Sequence, residues 1–175
     1  MKLKTRELAI FAMLGAVMYV SKIIMEWIPN VHLLGTLIMA YTLVYRSKAL
    51  YPIYVFVFLC GALGGFNAWW IPYLYIWTIL WAVTMLLPKK MPLKIAPIVY
   101  MIVCALHGFG FGILYAPSQA IMFGLNFEQT LAWIASGFPF DVIHGIGNFF
   151  CGMLIMPIAA ILKMLERNAG QMNKI

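Results

Sequence analysis

Apolar runs long enough to cross a bilayer dominate this sequence. A membrane-crossing helix needs about 20 mostly apolar residues, and runs of that order follow one another from Leu8 almost to the end of the chain. We read six spans, at about 7–25, 31–45, 49–66, 70–88, 94–115 and 139–163. Of 175 residues, 65% are hydrophobic and 10% charged, with a mean hydropathy of +0.94; a soluble domain carries roughly 25% charged residues. A water-soluble protein of this size could not hide so much apolar surface, so the solvent is lipid. The predicted fold class is all-α: one integral membrane bundle of six transmembrane helices over 1–175, with no linker and no internal repeat.

Prolines punctuate the pattern. Pro29, Pro52, Pro72, Pro92 and Pro97 fall near predicted helix ends, where proline is tolerated or stops a helix. Pro117 and Pro139 bracket the longest predicted connection, about 116–138, which carries Ser118, Gln119, Asn126, Glu128 and Gln129. Its end, Phe127 to Phe138, reads as an interfacial helix. The first apolar run is longer than a signal-peptide core and no small-residue cleavage site follows it, so no cleavable leader is expected.

The second span, only Leu33 to Tyr45 at its apolar core, is short for a hydrocarbon layer of about 30 Å. Charge decides in its favour. With six spans and the N-terminus inside, the cytoplasmic segments hold Lys2, Lys4 and Arg6; Arg46 and Lys48; Lys89, Lys90 and Lys94; and Lys163, Arg167 and Lys174. That is eleven of the twelve basic residues, with only Lys22 toward the outside. Without the second crossing, every basic residue from Arg46 onward would face outward, against the positive-inside rule. Both termini are therefore expected in the cytoplasm.

The net charge of +7 does not indicate nucleic acid, because the basic residues sit dispersed at helix ends. Cys60, Cys104 and Cys151 lie inside apolar segments without a C-x-x-C pattern, so they read as small buried hydrophobes. No cofactor and no metal site is expected. No Walker A pattern occurs, so the chain is not expected to be an enzyme in its own right, and any ATP-driven step would belong to another subunit.

The outer connections have a different composition. Trp27, Asn30 and His32, then Asn67, Trp69, Trp70 and Tyr73, then Tyr115 through Trp133 gather aromatic and hydrogen-bonding side chains on one side. Interfacial anchoring accounts for much of this; a binding site opening outward accounts for the rest. In the last span Asp141, His144 and Asn148 stand at i, i+3 and i+7, on one helical stripe. Polar groups at membrane depth face a cavity or a partner. Either Asp141 and His144 satisfy each other while Asn148 ties two helices, or the stripe lines a substrate cavity. His107, in the glycine-rich run LHGFGFG, reads as a helix–helix hydrogen bonder or a site residue. Lys22 either pairs with Glu26, four residues on, or offers a cation to an anionic substrate group. Ala9, Ala12 and Ala16 form a small-residue stripe on the first helix, of the kind that lets another helix approach closely in lipid. Gly61 with Gly65, and Gly108 with Gly112, are similar pairs that suit internal packing.

Six helices in 175 residues, AMLGA at Ala12–Ala16 and PFDVIHGIGNFFCG at Pro139–Gly152 together resemble the S component of energy-coupling factor (ECF) transporters. These are ABC-type vitamin importers of prokaryotes, and the resemblance spans the chain. It implies a multi-pass protein of the cell membrane that captures a vitamin or related micronutrient from outside. It also implies partners: a transmembrane coupling subunit, contacted through Ala9, Ala12 and Ala16, and two cytosolic ATPases. The family's outer pocket points to Asn67, Trp69, Trp70, Tyr73, Tyr115, Ser118, Gln119, Asp141, His144 and Asn148, with Lys22 and His107 as further candidates. The alternatives are an intramembrane enzyme using His107, Asp141 and His144, or an autonomous small transporter.

Overall fold

A computed structural model describes residues 3–172, with side chains through 168. Among the described residues every regular element is helical: α1 Thr5–Met25, α2 Leu34–Tyr45, α3 Leu50–Gly64, α4 Tyr73–Leu86, α5 Ala96–Phe109, α6 Phe111–Phe123, α7 Phe127–Cys151 and α8 Ile155–Met172. Short 3-10 turns lie at Arg46–Ala49 and Gly152–Leu154. Four continuous segments are long and apolar enough to cross a membrane, namely Thr5–Met25, Leu34–Gly64, Ala96–Phe123 and Phe127–Asn168, and Tyr73–Leu86 is a shorter apolar helix.

How little of each helix is buried identifies the solvent. α1 buries Phe11, Gly15 and Met18, a single stripe, while Leu8, Met13, Val17, Val20 and Ile24 are exposed. A helix apolar on all sides but packed along one belongs in lipid. α2 is the exception: Leu34 through Thr42 are all buried, which makes it the central post of the bundle. Enclosed by protein, its 12 residues, about 18 Å of helix, need not reach both headgroup layers.

The Leu34–Gly64 segment folds back on itself at Arg46, which takes a positive φ of 53°. Phe11 packs on Tyr45 at the end of α2 and on Tyr51 at the start of α3, with ring centroids 5.2 and 5.8 Å apart. One turn along α1, Tyr41 donates to the Leu14 carbonyl and Gly15 lies against Pro52 and Val55. Following α1, residue numbers fall in α2 and rise in α3, so α2 and α3 are antiparallel. Trp81 Nε1 donates to the Arg46 carbonyl and Arg46 Nη2 donates to Met85 O, both at 3.1 Å; α4 thus holds the strained turn.

α5 and α7 also run antiparallel, backbone against backbone. Gly152 meets Met101, Asn148 bonds the Cys104 carbonyl, Gly108 abuts Gly145, and Gly112 bonds Asp141. Tyr115 stacking on Trp133 at 5.8 Å carries the pairing into α6. The predicted connection 116–138 is mostly helix instead. α6 continues to Phe123, Gly124 (φ 65°) makes the left-handed cap, and α7 starts at Phe127. Asn126 and Gln129 exchange reciprocal 2.9 Å capping bonds there. Pro117 and Pro139 lie inside helices, tolerated because neighbouring helices in lipid re-satisfy the freed backbone. The helix pair broken at Gly110, and the second pair broken at the Gly152 turn, replace single spans at 94–115 and 139–163.

The first and last helices meet. Arg6 pairs with Glu166 at 3.1 Å, Tyr45 donates to Glu166, and Lys48 pairs with Glu7. Arg46, Lys89, Lys90 and Lys163 line one hollow at this same end. Lys2 and Lys174, part of the sequence-based count, lie outside the described residues. Lys22 stands at the opposite end, beside His32 and Tyr73.

Candidate substrate-binding site

At the end opposite the basic cluster, four helices and one loop bring rings together. The loop from Glu26 to Leu33 carries His32; α4 contributes Tyr73 and, one turn on, Trp77; α5 contributes His107, α6 Phe111 and α7 His144. His32 and His144 have centroids 4.6 Å apart, His144 and Phe111 4.8 Å, and Trp77 lies 5.7 Å from Phe111, 5.8 Å from His107 and 6.2 Å from His32. Edge-to-face and tilted geometries predominate, as ring quadrupoles favour. A cavity of about 210 Å³ opens on this cluster, lined by Lys22, Glu26, His32, Tyr73, Phe111 and His144 among others.

Five buried side-chain atoms among the described residues have no hydrogen-bond partner: His32 Nδ1, Trp77 Nε1, His107 Nδ1, His144 Nε2 and Asn148 Oδ1; the buried Thr36 hydroxyl pairs with the Cys104 thiol. Four belong to the ring cluster. The fifth lies just beneath it, since Asn148 is one turn below His144 on α7, where Gly35 abuts Asn148 and Cys104. Native proteins satisfy nearly all such groups, so their convergence on one spot marks it as polar by design. A larger hollow of about 530 Å³ lies at the basic end, between Glu7, Tyr45, Lys48 and Glu166. There the polar groups pair with one another, which leaves less unspent hydrogen-bonding capacity for a ligand.

The polar stripe divides its labour. Asp141, His144 and Asn148 are all buried, on one face of α7. Asp141 does not bond His144: both carboxylate oxygens accept from the Gly112 amide, at 3.1 and 3.0 Å, which caps the start of α6. Asn148 Nδ2 donates to Cys104 O at 3.2 Å and ties α7 to α5. His107 Nε2 approaches Ile76 O at 3.2 Å. A carbonyl can only accept, so Nε2 carries the proton and Nδ1 of the neutral ring is an acceptor.

No family model, curated protein or solved structure matches this chain.

The remaining predicted residues scatter. Tyr73 lines the cavity, and Lys22 lines it while paired with Glu26 at 2.7 Å. Trp69 meets Tyr73 edge-on, Trp70 Nε1 donates to Val57 O, Tyr115 donates to Trp69 O, and Ser118 donates to Tyr115 O; these tie the α3–α4 connection to α3 and α6 beside the cavity. Asn67 sits in the turn after Gly65, and Gln119 is half-buried on α6. Sequence reasoning left Trp77 and Phe111 out of the site and treated His32 only as loop composition. The signal for Trp77 was present, since Tyr73 and Trp77 are one helical turn apart; those for Phe111 and His32 depend on tertiary packing.

On α1, Ala9, Ala12 and Ala16 are exposed, on the face opposite Phe11, Gly15 and Met18. Internal packing is instead the task of Gly15, Gly61 against Phe66 and Trp70, and Gly108 against Gly145.

Proposed function

We propose that this protein is the substrate-binding membrane subunit of an ECF-type importer. In this reading it crosses the membrane six times with both termini in the cytoplasm. It captures a vitamin or related micronutrient from outside a prokaryotic cell and delivers it inward with a coupling subunit and two ATPases. The observation that carries the reading is the polarity of the molecule. Unpartnered polar atoms and a cavity gather at one end, and basic side chains gather at the other. By the positive-inside rule the basic end is cytoplasmic, so the cavity opens outward. The reversal at Arg46 supports counting α2 and α3 as separate crossings, and the small-residue face of α1, exposed to lipid, suits a transmembrane partner.

Co-expression with the coupling subunit and ATPases of an ECF module tests this directly. The expected result is a stable four-component complex and ATP-dependent solute uptake in vesicles. A chain that never assembles with such a module, or that transports alone, overturns the reading.

A further inference from the structure

The unpartnered atoms specify a ligand chemistry, an inference that rests on the outer cavity being the substrate site of the proposed importer. Their donor and acceptor roles are partly fixed. Trp77 Nε1 can only donate. His107 Nδ1 is an acceptor because Nε2 donates to Ile76, and Asn148 Oδ1 is an acceptor because Nδ2 donates to Cys104. His32 Nδ1 and His144 Nε2 are buried without a partner and are able to serve either way by tautomer. The surfaces between these atoms are aromatic faces.

Little free charge faces this cluster. Lys22 and Glu26 at the rim neutralise each other, and the Asp141 carboxylate is committed to Gly112. An anionic ligand would find no unpaired cation among these groups, and a cationic one only the Asp141 carboxylate, already engaged by the Gly112 amide; a buried charge without a free counter-charge is costly. A metal ion fits poorly: no three His, Cys, Asp or Glu side chains converge among the described residues, and it could not accept from the Trp77 N–H. A purely apolar ring would leave every one of these atoms unsatisfied, at about 1–3 kcal/mol for each. The cavity of about 210 Å³ reaches His32 and His144 and stops short of Trp77 and His107; small beside the roughly 300–1,000 Å³ of drug-sized sites, it suits one or two fused rings and not a macrocycle.

We propose that this ring cluster binds an uncharged, planar nitrogen heterocycle that presents both hydrogen-bond donors and acceptors on its edge. The ring enters beside Phe111, meets His144 Nε2 first, and reaches Trp77 Nε1 and His107 Nδ1 as His32 moves aside. The loop that carries His32 is suited to this. Its internal backbone bonds are local, Ile28 N to Met25 O and Val31 N to Ile28 O, and Asn30 turns it at a φ of 60°.

The test is calorimetric titration of the full chain in lipid nanodiscs with pterin, lumazine, hypoxanthine and thymine. Pterin-6-carboxylate, naphthalene and Zn²⁺ serve as the charged, apolar and metal comparators. At least one neutral heterocycle is expected to bind saturably, and more tightly than its carboxylate or naphthalene. Trp77→Phe, which keeps a ring and removes the N–H, and His144→Phe should each weaken it by about tenfold or more. His32→Phe, on the loop, keeps the readout available if a helix variant fails to fold. Binding by none of the four heterocycles, preference for the anion or for naphthalene, tight Zn²⁺ binding lost in His32→Phe, or affinity unchanged by all three variants overturns the proposal. An importer that assembles and transports but rejects these heterocycles removes the ligand class alone. Heterocycle binding without assembly removes the importer reading alone.

Discussion

Asp141 shows how a residue's role depends on a partner far away in sequence. Its spacing from His144 and Asn148 announces a polar stripe, and the burial of all three agrees with that. Which of them is free to meet a ligand was not legible, because Gly112 lies 29 positions earlier and nothing local couples the two. Gly112 is suited to the contact, since a side chain there would run into the Asp141 carboxylate. Removing that carboxylate leaves a buried amide unpaired, at about 1–3 kcal/mol. Asp141→Ala should therefore lower the apparent melting temperature in detergent, whereas Asp141→Asn, which retains an acceptor oxygen, should lower it less. Equal losses in the two variants, or none, would show that the capping bond does not matter. The same logic explains the missed ring residues: Trp77 carries a helical-spacing signal from Tyr73, but His32 joins the cluster only because the α1–α2 loop folds over α7, where Val31 touches Gly147.

At the scale of elements, the apolar runs announced the helices, and their boundaries followed local chemistry closely where proline stands at a helix start. Pro72 stands at the start of α4 and Pro97 in the first turn of α5, as their positions suggested. The reading went wrong where prolines sit inside helices, at Pro117 and Pro139. A proline is a stop signal only when no neighbour compensates, and in the α6–α7 hairpin a partner helix lies alongside, with Tyr115 stacked on Trp133. The tightest seam, α5 against α7, depends on glycine for close approach. A Cβ on Gly108 would lie 2.8 Å from Gly145 Cα and 2.9 Å from its amide nitrogen, backbone atoms that cannot rotate away. Gly137, on the same long helix α7, would have nothing within 4 Å. Gly108→Ala should therefore destabilise the protein by at least about 1 kcal/mol, as overpacked cores do. Gly137→Ala should be neutral or stabilise by roughly 0.5–1 kcal/mol through helix propensity. Thermal unfolding in matched detergent separates them, and the order reversed would mean that the seam relaxes freely.

For the whole molecule, the arrangement of polarity matters more than any single contact. The ion pairs of Arg6 with Glu166 and of Lys48 with Glu7 close the basic end, while hydrogen-bonding capacity is left unspent at the other. α1 links the two ends, with Glu7 at the basic cluster and Lys22 at the cavity rim. Its inner face, Phe11, Gly15 and Met18, belongs to the bundle, and its outer face shows Ala9, Ala12 and Ala16. In the proposed importer that outer face is the coupling surface, where small side chains let a partner helix approach. Ala12→Leu and Ala16→Leu add bulk only to an exposed face, where substitutions usually change stability by no more than about 0.5 kcal/mol. The variants should fold and bind ligand as the parent does, yet lose most of their uptake when reconstituted with the coupling subunit and ATPases, by about tenfold or more. The paired measurement is needed because each half excludes a different explanation. Ligand binding lost together with uptake would mean that the substitutions disturb the bundle. Uptake retained in both variants would mean that the coupling subunit docks elsewhere. Only intact binding with failed transport assigns the alanine face to the partner.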